Sequence, residues 1–384
     1  MVEHRTSGGR DSNGRIGRVG ARLLGTLPAT VLAASLVVCG VLGLGGCDGG
    51  DGDQAPTPTV FHAVTDDDDA GAFYAVWSAS PSDVWVVGGE AGKPLVRHFD
   101  GSAWSRRDPP LKAKLRWVHG DGAGKVLVVG DGGQAALWDG AAWTAMPTQH
   151  AKATLWGCWL AADGQAWTVG GVDGASAATD TTDTLLLLHH DPTSHNAEPW
   201  ALVPLEARAT WPTSAESRLF KVWRDASTGR MFAVGGRAVA ATTDSAGAWS
   251  TELIDGSGAP LFTVHGRSAS DVWAVGGQIG VALVHYDGSA WSSVAPPDDA
   301  PFVVQGVAVR PDGVVDLAGA TGYTARRTKA GAWISSTIET NANLHGIHHD
   351  GKRLWTVGGD IAVDKADHHG AIYVDDASVP AITP

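Results

Sequence analysis

The chain has 384 residues, including 51 glycines and 17 tryptophans, with a formal charge of −13 and only 18 % charged side chains. That composition excludes a disordered tail and a basic nucleic-acid binder. The length is enough to bury a substantial core.

The first segment has its own logic. Arg5, Arg10, Arg15, Arg18 and Arg22 precede an apolar run at 23–44, which ends in LGGC at 44–47. A basic start, an apolar middle and small residues before a cut form an export signal. The LGGC ending resembles a bacterial lipobox. That resemblance implies removal of 1–46 as a signal peptide and a diacylglycerol on the sulfur of Cys47. Small residues admit the chain to the peptidase, and the thiol accepts the lipid. The alternatives are an uncleaved anchor or a plain signal peptide with a chance Cys. Each buried methylene contributes about 0.8 kcal/mol and one acyl chain holds weakly, so the three chains of such lipoproteins make attachment effectively permanent. Residues 47–58 then read as the lipidated Cys and a flexible tether, with a domain over 59–384. Asp48 after the Cys resembles an inner-membrane retention signal. Cys39 leaves with the signal and Cys47 is lipidated, so Cys158 is the remaining thiol and no intramolecular disulfide is expected. The acidic surface repels nucleic acid and anionic headgroups.

From residue 72 onward the chain repeats. The stretch DVWVVGG at 83–89 returns as DVWAVGG at 271–277. More generally, an apolar-apolar-Gly triplet ends at Gly88, Gly130, Gly170, Gly235, Gly276, Gly319 and Gly358, at intervals of 42, 40, 65, 41, 43 and 39. Each unit offers a short run, a polar turn such as SPSD, the apolar run into Gly, and a third run ending in Asp-Gly. A Trp follows in six units: Trp104, Trp143, Trp200, Trp249, Trp291 and Trp333. Ser and Asp favour the first turn and Asp-Gly the hairpin turn. Runs such as VWVV are apolar on both faces, so both faces of each small sheet are buried. Seven four-stranded antiparallel sheets packed around an axis satisfy that demand: an all-β, seven-bladed β-propeller. The paired glycines are expected where the second strand leaves with an unusual backbone angle. The order apolar-Gly-Gly, aromatic-Asp, Trp resembles the kelch repeat, and the FDGSAW turn loosely resembles an Asp-box; the likeness covers about 72–376 and implies fold rather than function. The ring is expected to close through TVFHAV at 59–64 rather than through the C-terminal tail. The run Asp66 to Asp69 is then an exposed connection, with calcium as a weaker reading.

Deviations from the repeat carry the functional candidates. Two insertions, 172–183 and 205–218, are expected side by side on one face. They contribute Trp211 as a candidate binding anchor and Asp173, Asp180 and Asp183 as candidate calcium ligands, without an EF-hand spacing. The innermost strands are expected to place Trp77, His119, Trp156, Trp223, His265, Gln305 and His345 in one ring about the axis. Of these, His119, His265 and His345 could converge on a transition metal; the alternative is hydrogen bonding between blades or to water. Asp316 replaces an aromatic, and is expected to pair with Arg326 or Arg327 or to serve a ligand. Adjacent pairs such as His189 and His190 point to opposite faces and do not share a metal.

No GxSxG, HExxH or phosphate loop is present. The sequence therefore points to a non-catalytic, membrane-tethered, monomeric binding or scaffold propeller outside the cytoplasm, without a resident cofactor, whose partner is an envelope protein or glycan. The alternative is a propeller enzyme, a metal-dependent oxidase or a carbohydrate-active enzyme, working through the central channel.

Overall fold

The computed structural model describes residues 57–67, 71–172, 185–194, 199–205, 218–254, 258–359 and 370–382. Cys47, Asp173, Asp180, Asp183 and Trp211 lie outside them. The described residues build seven four-stranded antiparallel sheets. In each sheet the first strand packs against the first strands of both neighbouring blades, around the full circle from blade 7 back to blade 1. These inner strands are Phe73–Ser80, Leu115–Gly120, Ala153–Leu160, Leu219–Arg224, Leu261–Ser268, Val304–Val309 and Asn343–His349.

The apolar runs are buried on both faces as the pattern requires. In Asp83–Glu90 every residue but the two ends is buried. Its Val84 and Val86 join Trp355, Val357 and Ile372 of blade 7 in one core, while Trp85 and Val87 join Leu115, Val126 and Val128 of blade 2 in the next. The core is thus a set of layers between blades, and no blade encloses a core alone.

Ring closure comes from the N-terminal side. Strand His62–Asp67 is the outermost strand of blade 7, pairing with Gly370–Val374. It begins three residues later than 59–64 and takes in Asp66 and Asp67, which pair with Ala371 and Gly370, so half of the acidic run is strand rather than connection. The C-terminal tail adds a clasp without becoming a strand. Ile382 N–H donates to Val64 O (2.9 Å), and Trp104 Nε1 of blade 1 donates to Pro380 O (3.2 Å).

The recurrent residues each have a local task. Asp83 accepts from Trp85 Nε1 (2.6 Å) and bonds His98 Nε2 (2.8 Å); Asp271 does the same with Trp273 (2.9 Å) and His285 (2.7 Å). The repeated Asp and Trp, with a His of the next strand, are therefore one hydrogen-bonded cluster written twice. The outer-strand tryptophans stitch blades together: Trp143 Nε1 donates to Arg107 O (2.7 Å), Trp200 to Met146 O (3.0 Å) and Trp333 to Ala295 O (3.3 Å). The Asp of the third-run turn accepts from backbone N–H groups just ahead, Ser102 and Ala103 onto Asp100 (2.8 Å each), and these bonds hold its pKa down at about 2.

The glycines differ from the expectation in one respect. Where a glycine of the pair takes the unusual angle it is the second, as at Gly89 (φ +94°), Gly277 (φ +131°) and Gly359 (φ +152°). The first is required by close approach: a Cβ at Gly88 would stand 2.1 Å from Ala72 O, and at Gly235 1.9 Å from Arg218 O. Opposite this glycine every inner strand skips one residue of register, a β-bulge in each of the seven blades.

Candidate functional site: a two-tier axial channel

A bulge leaves one residue out of the ladder and re-aims its side chain. The seven bulge residues are Tyr74, Arg116, Trp156, Phe220, Phe262, Gln305 and His345. All seven line one chamber of about 240 Å³, together with Lys221 and Thr263. Three residues further along, Trp77, His119, Trp159, Trp223, His265 and His348 line a second chamber of about 160 Å³. Since the bulges fall at the second, third or fourth residue of the inner strands, the larger chamber lies toward the end where those strands begin. Val172 pairs with Ala153 at the start of the blade 3 inner strand, and Arg218 directly precedes the blade 4 inner strand, so these described residues stand at that same end.

The single ring expected from the sequence is therefore two rings. Trp77, His119, Trp223 and His265 belong to the second tier, while Trp156, Gln305 and His345 belong to the bulge tier. The equivalents of these last three in the second tier are Trp159, Ala308 and His348: Trp159 faces Trp167, Ala308 faces Asp316 and His348 faces Trp355, as Trp77 faces Trp85. Gly follows the bulge in blades 3, 6 and 7 and follows the second-tier residue in blades 2 and 5, so a residue followed by Gly does not belong to one tier. Distance to the triplet Gly carried the signal. The second-tier residues stand 10 to 12 positions before it, and Trp156, Gln305 and His345 stand 13 or 14.

The second tier is a belt of rings. His119 lies 3.8 Å from Trp159 and 5.5 Å from Trp77 between ring centres, and Trp223 lies 6.5 Å from Trp159 and 6.1 Å from His265. Its histidines staple neighbouring blades. Leu160 N–H donates to His119 Nδ1 (3.1 Å), Val309 N–H to His265 Nδ1 (3.0 Å), and Ser78 N–H to His348 Nε2 (3.2 Å). Burial lowers their pKa values to about 3 for His119 and His265 and about 4 for His348. These are neutral acceptors, the inter-blade role named as the alternative to metal binding. Among the described residues no three His, Cys, Asp or Glu side chains stand close enough to hold a metal ion.

The bulge tier is chemically richer. Arg116 is bidentate to Asp131 (2.7 and 3.2 Å), and its guanidinium lies 4.8 Å from the Tyr74 ring centre and 4.3 Å from that of Trp156. Phe220 meets Trp156 edge-on at 5.6 Å and Phe262 at 5.4 Å. His345 bonds the Gln305 side-chain amide through Nδ1 and donates from Nε2 to Gly359 O (3.1 Å), and burial lowers its pKa to about 4. Tyr74 Oη and Trp156 Nε1 are buried without a hydrogen-bond partner. Lys221, 7 % exposed, donates from Nζ to Trp156 O (2.6 Å) and sits 3.9 Å from the Trp117 ring centre. Burial, with the Arg116 guanidinium adding to it, lowers its pKa to about 7, against the nearby Cys158 thiol, which favours the charged form. Cys158 itself is fully buried, its Sγ 3.6 Å from Leu127 O, and burial pushes its pKa well up, so it is not a reactive thiol.

Asp316 is 1 % exposed and held by two arginines: Arg310 at 2.5 Å and Arg326 at 2.9 Å. The Arg326 pairing follows from the sheet register, in which the two residues are partners, while Arg310 was not foreseen. Arg327 instead lies 5.3 Å from the Trp273 ring centre. The triad fills the place of the missing aromatic, away from both chambers.

Fold and channel define the class: a seven-bladed β-propeller with an axial, bulge-lined cavity. No protein-family model matches the chain and no curated protein matches it, so the kelch likeness rests on the sequence motifs alone. Solved structures do match. A virginiamycin B lyase from Staphylococcus aureus with quinupristin shares 11 % identity over 82 % of this chain and 99 % of its own, with a TM-score of 0.63. YCF48 bound to the D1 peptide shares 14 % identity over 83 % and 98 %, with a TM-score of 0.56. The WD40 propeller domain of Doa1 shares 11 % identity over 83 % and 98 %, with a TM-score of 0.60. Identities this low establish the fold and leave function open.

Proposed function

We propose that this protein is an exported, lipid-anchored binding propeller that holds an envelope protein or glycan at the end of the channel where the inner strands begin. The observation that carries the reading is the larger chamber: each of the seven blades contributes an inner-strand bulge residue to its wall. Bulges recur where a side chain must be re-aimed toward a site. Large apolar side chains stand exposed at the same end. Ile279, 91 % exposed, lies in the connection after the blade 5 second strand, and Phe302, 75 % exposed, just before the blade 6 inner strand. Propellers of this fold include one solved with a bound peptide, which supports binding as a use of the scaffold. Neither chamber is lined by a carboxylate, which disfavours the glycosidase form of the enzyme alternative. The export signal and the LGGC ending at Cys47 support the location.

A photoreactive residue placed at Ile279 or Phe302 in the native envelope is expected to capture a partner, while one at Lys125, on a turn at the opposite end of blade 2, is not. In the same experiment Cys47→Ala is expected to move the protein out of the membrane fraction. Equal capture from both ends, or a membrane fraction unchanged by Cys47→Ala, overturns the corresponding half of the reading.

A further inference from the structure

The larger chamber has a charge problem that its own walls do not solve. The chain as a whole is strongly acidic, yet the nine residues lining this chamber include Arg116, Lys221 and His345 and no Asp or Glu. Arg116 has Asp131 as its partner. Lys221 has none: among the described residues no carboxylate reaches its ammonium, whose one hydrogen-bond acceptor is the Trp156 carbonyl. A buried cation without a counter-ion is costly, and an anion supplied from outside relieves that cost. The remaining wall is flat and apolar, made by Tyr74, Trp156, Phe220 and Phe262, with Tyr74 Oη and Trp156 Nε1 still lacking partners. A volume of about 240 Å³ is that of about eight water molecules, which suits one planar ring system bearing one small charged group and excludes a folded chain segment.

We propose that the chamber binds a carboxylate carried on a flat aromatic body, the charge set against Lys221 and Arg116 and the ring against Tyr74, Trp156, Phe220 and Phe262. This deepens the reading of the molecule as a binding propeller and rests on it. The carboxylate completes the hydrogen bonding of an ammonium that has three donors and one acceptor. The aromatic walls select a planar body through offset and edge-on ring contacts. The geometry also couples binding to proton uptake. Lys221 is held near neutrality by burial and by Arg116, with Cys158, itself protonated, close by and His345 neutral across the chamber. An anion beside it favours the charged ammonium. Two sources present this chemistry, a free arylcarboxylate and the C-terminal aromatic residue of another chain.

The test is titration calorimetry of the full-length protein with indole-3-acetate and phenylacetate against their amides and against acetate. The acids are expected to bind at least about tenfold more tightly than either control, since only they offer both charge and ring. Their affinity is expected to weaken as the pH rises from about 6 to about 9, where Lys221 loses its proton. Lys221→Met is expected to remove the preference for acid over amide. Should that variant fail to fold, the wild-type pH dependence and the acid-to-amide ratio still decide. An acetylated tripeptide ending in Phe, as free acid and as amide, separates the sources: tighter binding of the free-acid peptide assigns a chain terminus, and tighter binding of the small acids assigns a metabolite, either outcome supporting the chemistry. Amides that bind as well as acids, or acids that fail to bind below about 10 mM, overturn it. Capture of an envelope partner at Ile279 is read separately, so either result stands without the other.

Discussion

At the scale of single residues, the channel shows how one side-chain type takes different tasks according to its depth on the strand. His119 and His265 each accept a backbone N–H from the next blade through Nδ1, and burial keeps them neutral down to about pH 3. In the unfolded chain the same imidazoles take up protons near the ordinary value of about 6.5. Protons therefore favour the unfolded chain between roughly pH 6.5 and pH 3 to 4. The stabilisation is complete above that window and is lost as pH falls through it. Denaturant unfolding measured across it is expected to show stability dropping with acid, and His119→Gln to reduce proton uptake on unfolding by about one. A stability profile flat from pH 7 to pH 4.5 would contradict the neutral-staple assignment. The paired carboxylates Asp100, Asp271 and Asp287, held near pH 2 in the folded protein and at ordinary carboxylate values when unfolded, add their own loss of stability below about pH 5, so the histidine contribution is read between about pH 7 and pH 5.

At the scale of the element, glycine and bulge form one device. The first glycine of the triplet admits the carbonyl of the inner strand, and the strand then bulges and turns one side chain to the axis. Gly235→Ala puts a methyl 1.9 Å from Arg218 O, a contact with backbone rather than with a flexible side-chain end. It is expected to destabilise by about 3 kcal/mol, as overpacking in a tight core does, and to disturb the bulge residue Phe220. Gly92→Ala provides the contrast. Unlike Gly235 it sits at positive φ, +80°, and a Cβ there meets nothing within 4 Å, so its cost is the backbone term of about 1 to 2 kcal/mol alone. Equilibrium unfolding of the two variants separates close approach from backbone angle. The sequence announced that these glycines matter. It did not show that the first serves contact and the second conformation, because a letter G carries no neighbour.

At the scale of the whole molecule, the ring is closed by a strand that comes from the wrong end of the chain. Removing 57–67 leaves Gly370–Val374, whose Ala371, Ile372 and Val374 are fully buried, as an open hydrophobic edge. Such an edge pairs with whatever strand it meets. Size-exclusion chromatography of a chain lacking 57–67 is expected to show self-association, and a peptide spanning 57–67 added in trans is expected to reverse it. A truncated chain that remains monomeric and as stable as the parent would show that the C-terminal clasp through Pro380 and Ile382 suffices.

Blade number, strand number, the closing strand and the Asp316–Arg326 pair were all legible in the linear pattern. Each follows from local rules: period, turn chemistry, burial of both faces, and a carboxylate opposite an arginine across a hairpin. The channel was legible only in part. Trp77, His119, Trp223 and His265 were placed in the right tier, but Trp156, Gln305 and His345 were put there too, and Tyr74, Arg116, Phe220, Lys221 and Phe262 were missed. A bulge is one skipped residue, and its position depends on which carbonyl leans against which glycine across two strands. That contact also decides which of seven unlike side chains meet at the axis. The sequence by itself determined that seven small sheets must hide both faces against one another, since hydrophobic periodicity is local to each strand. Only the tertiary structure decided that aromatic rings and an unpaired lysine share one chamber, since their proximity is created by closing the circle across more than two hundred residues of chain.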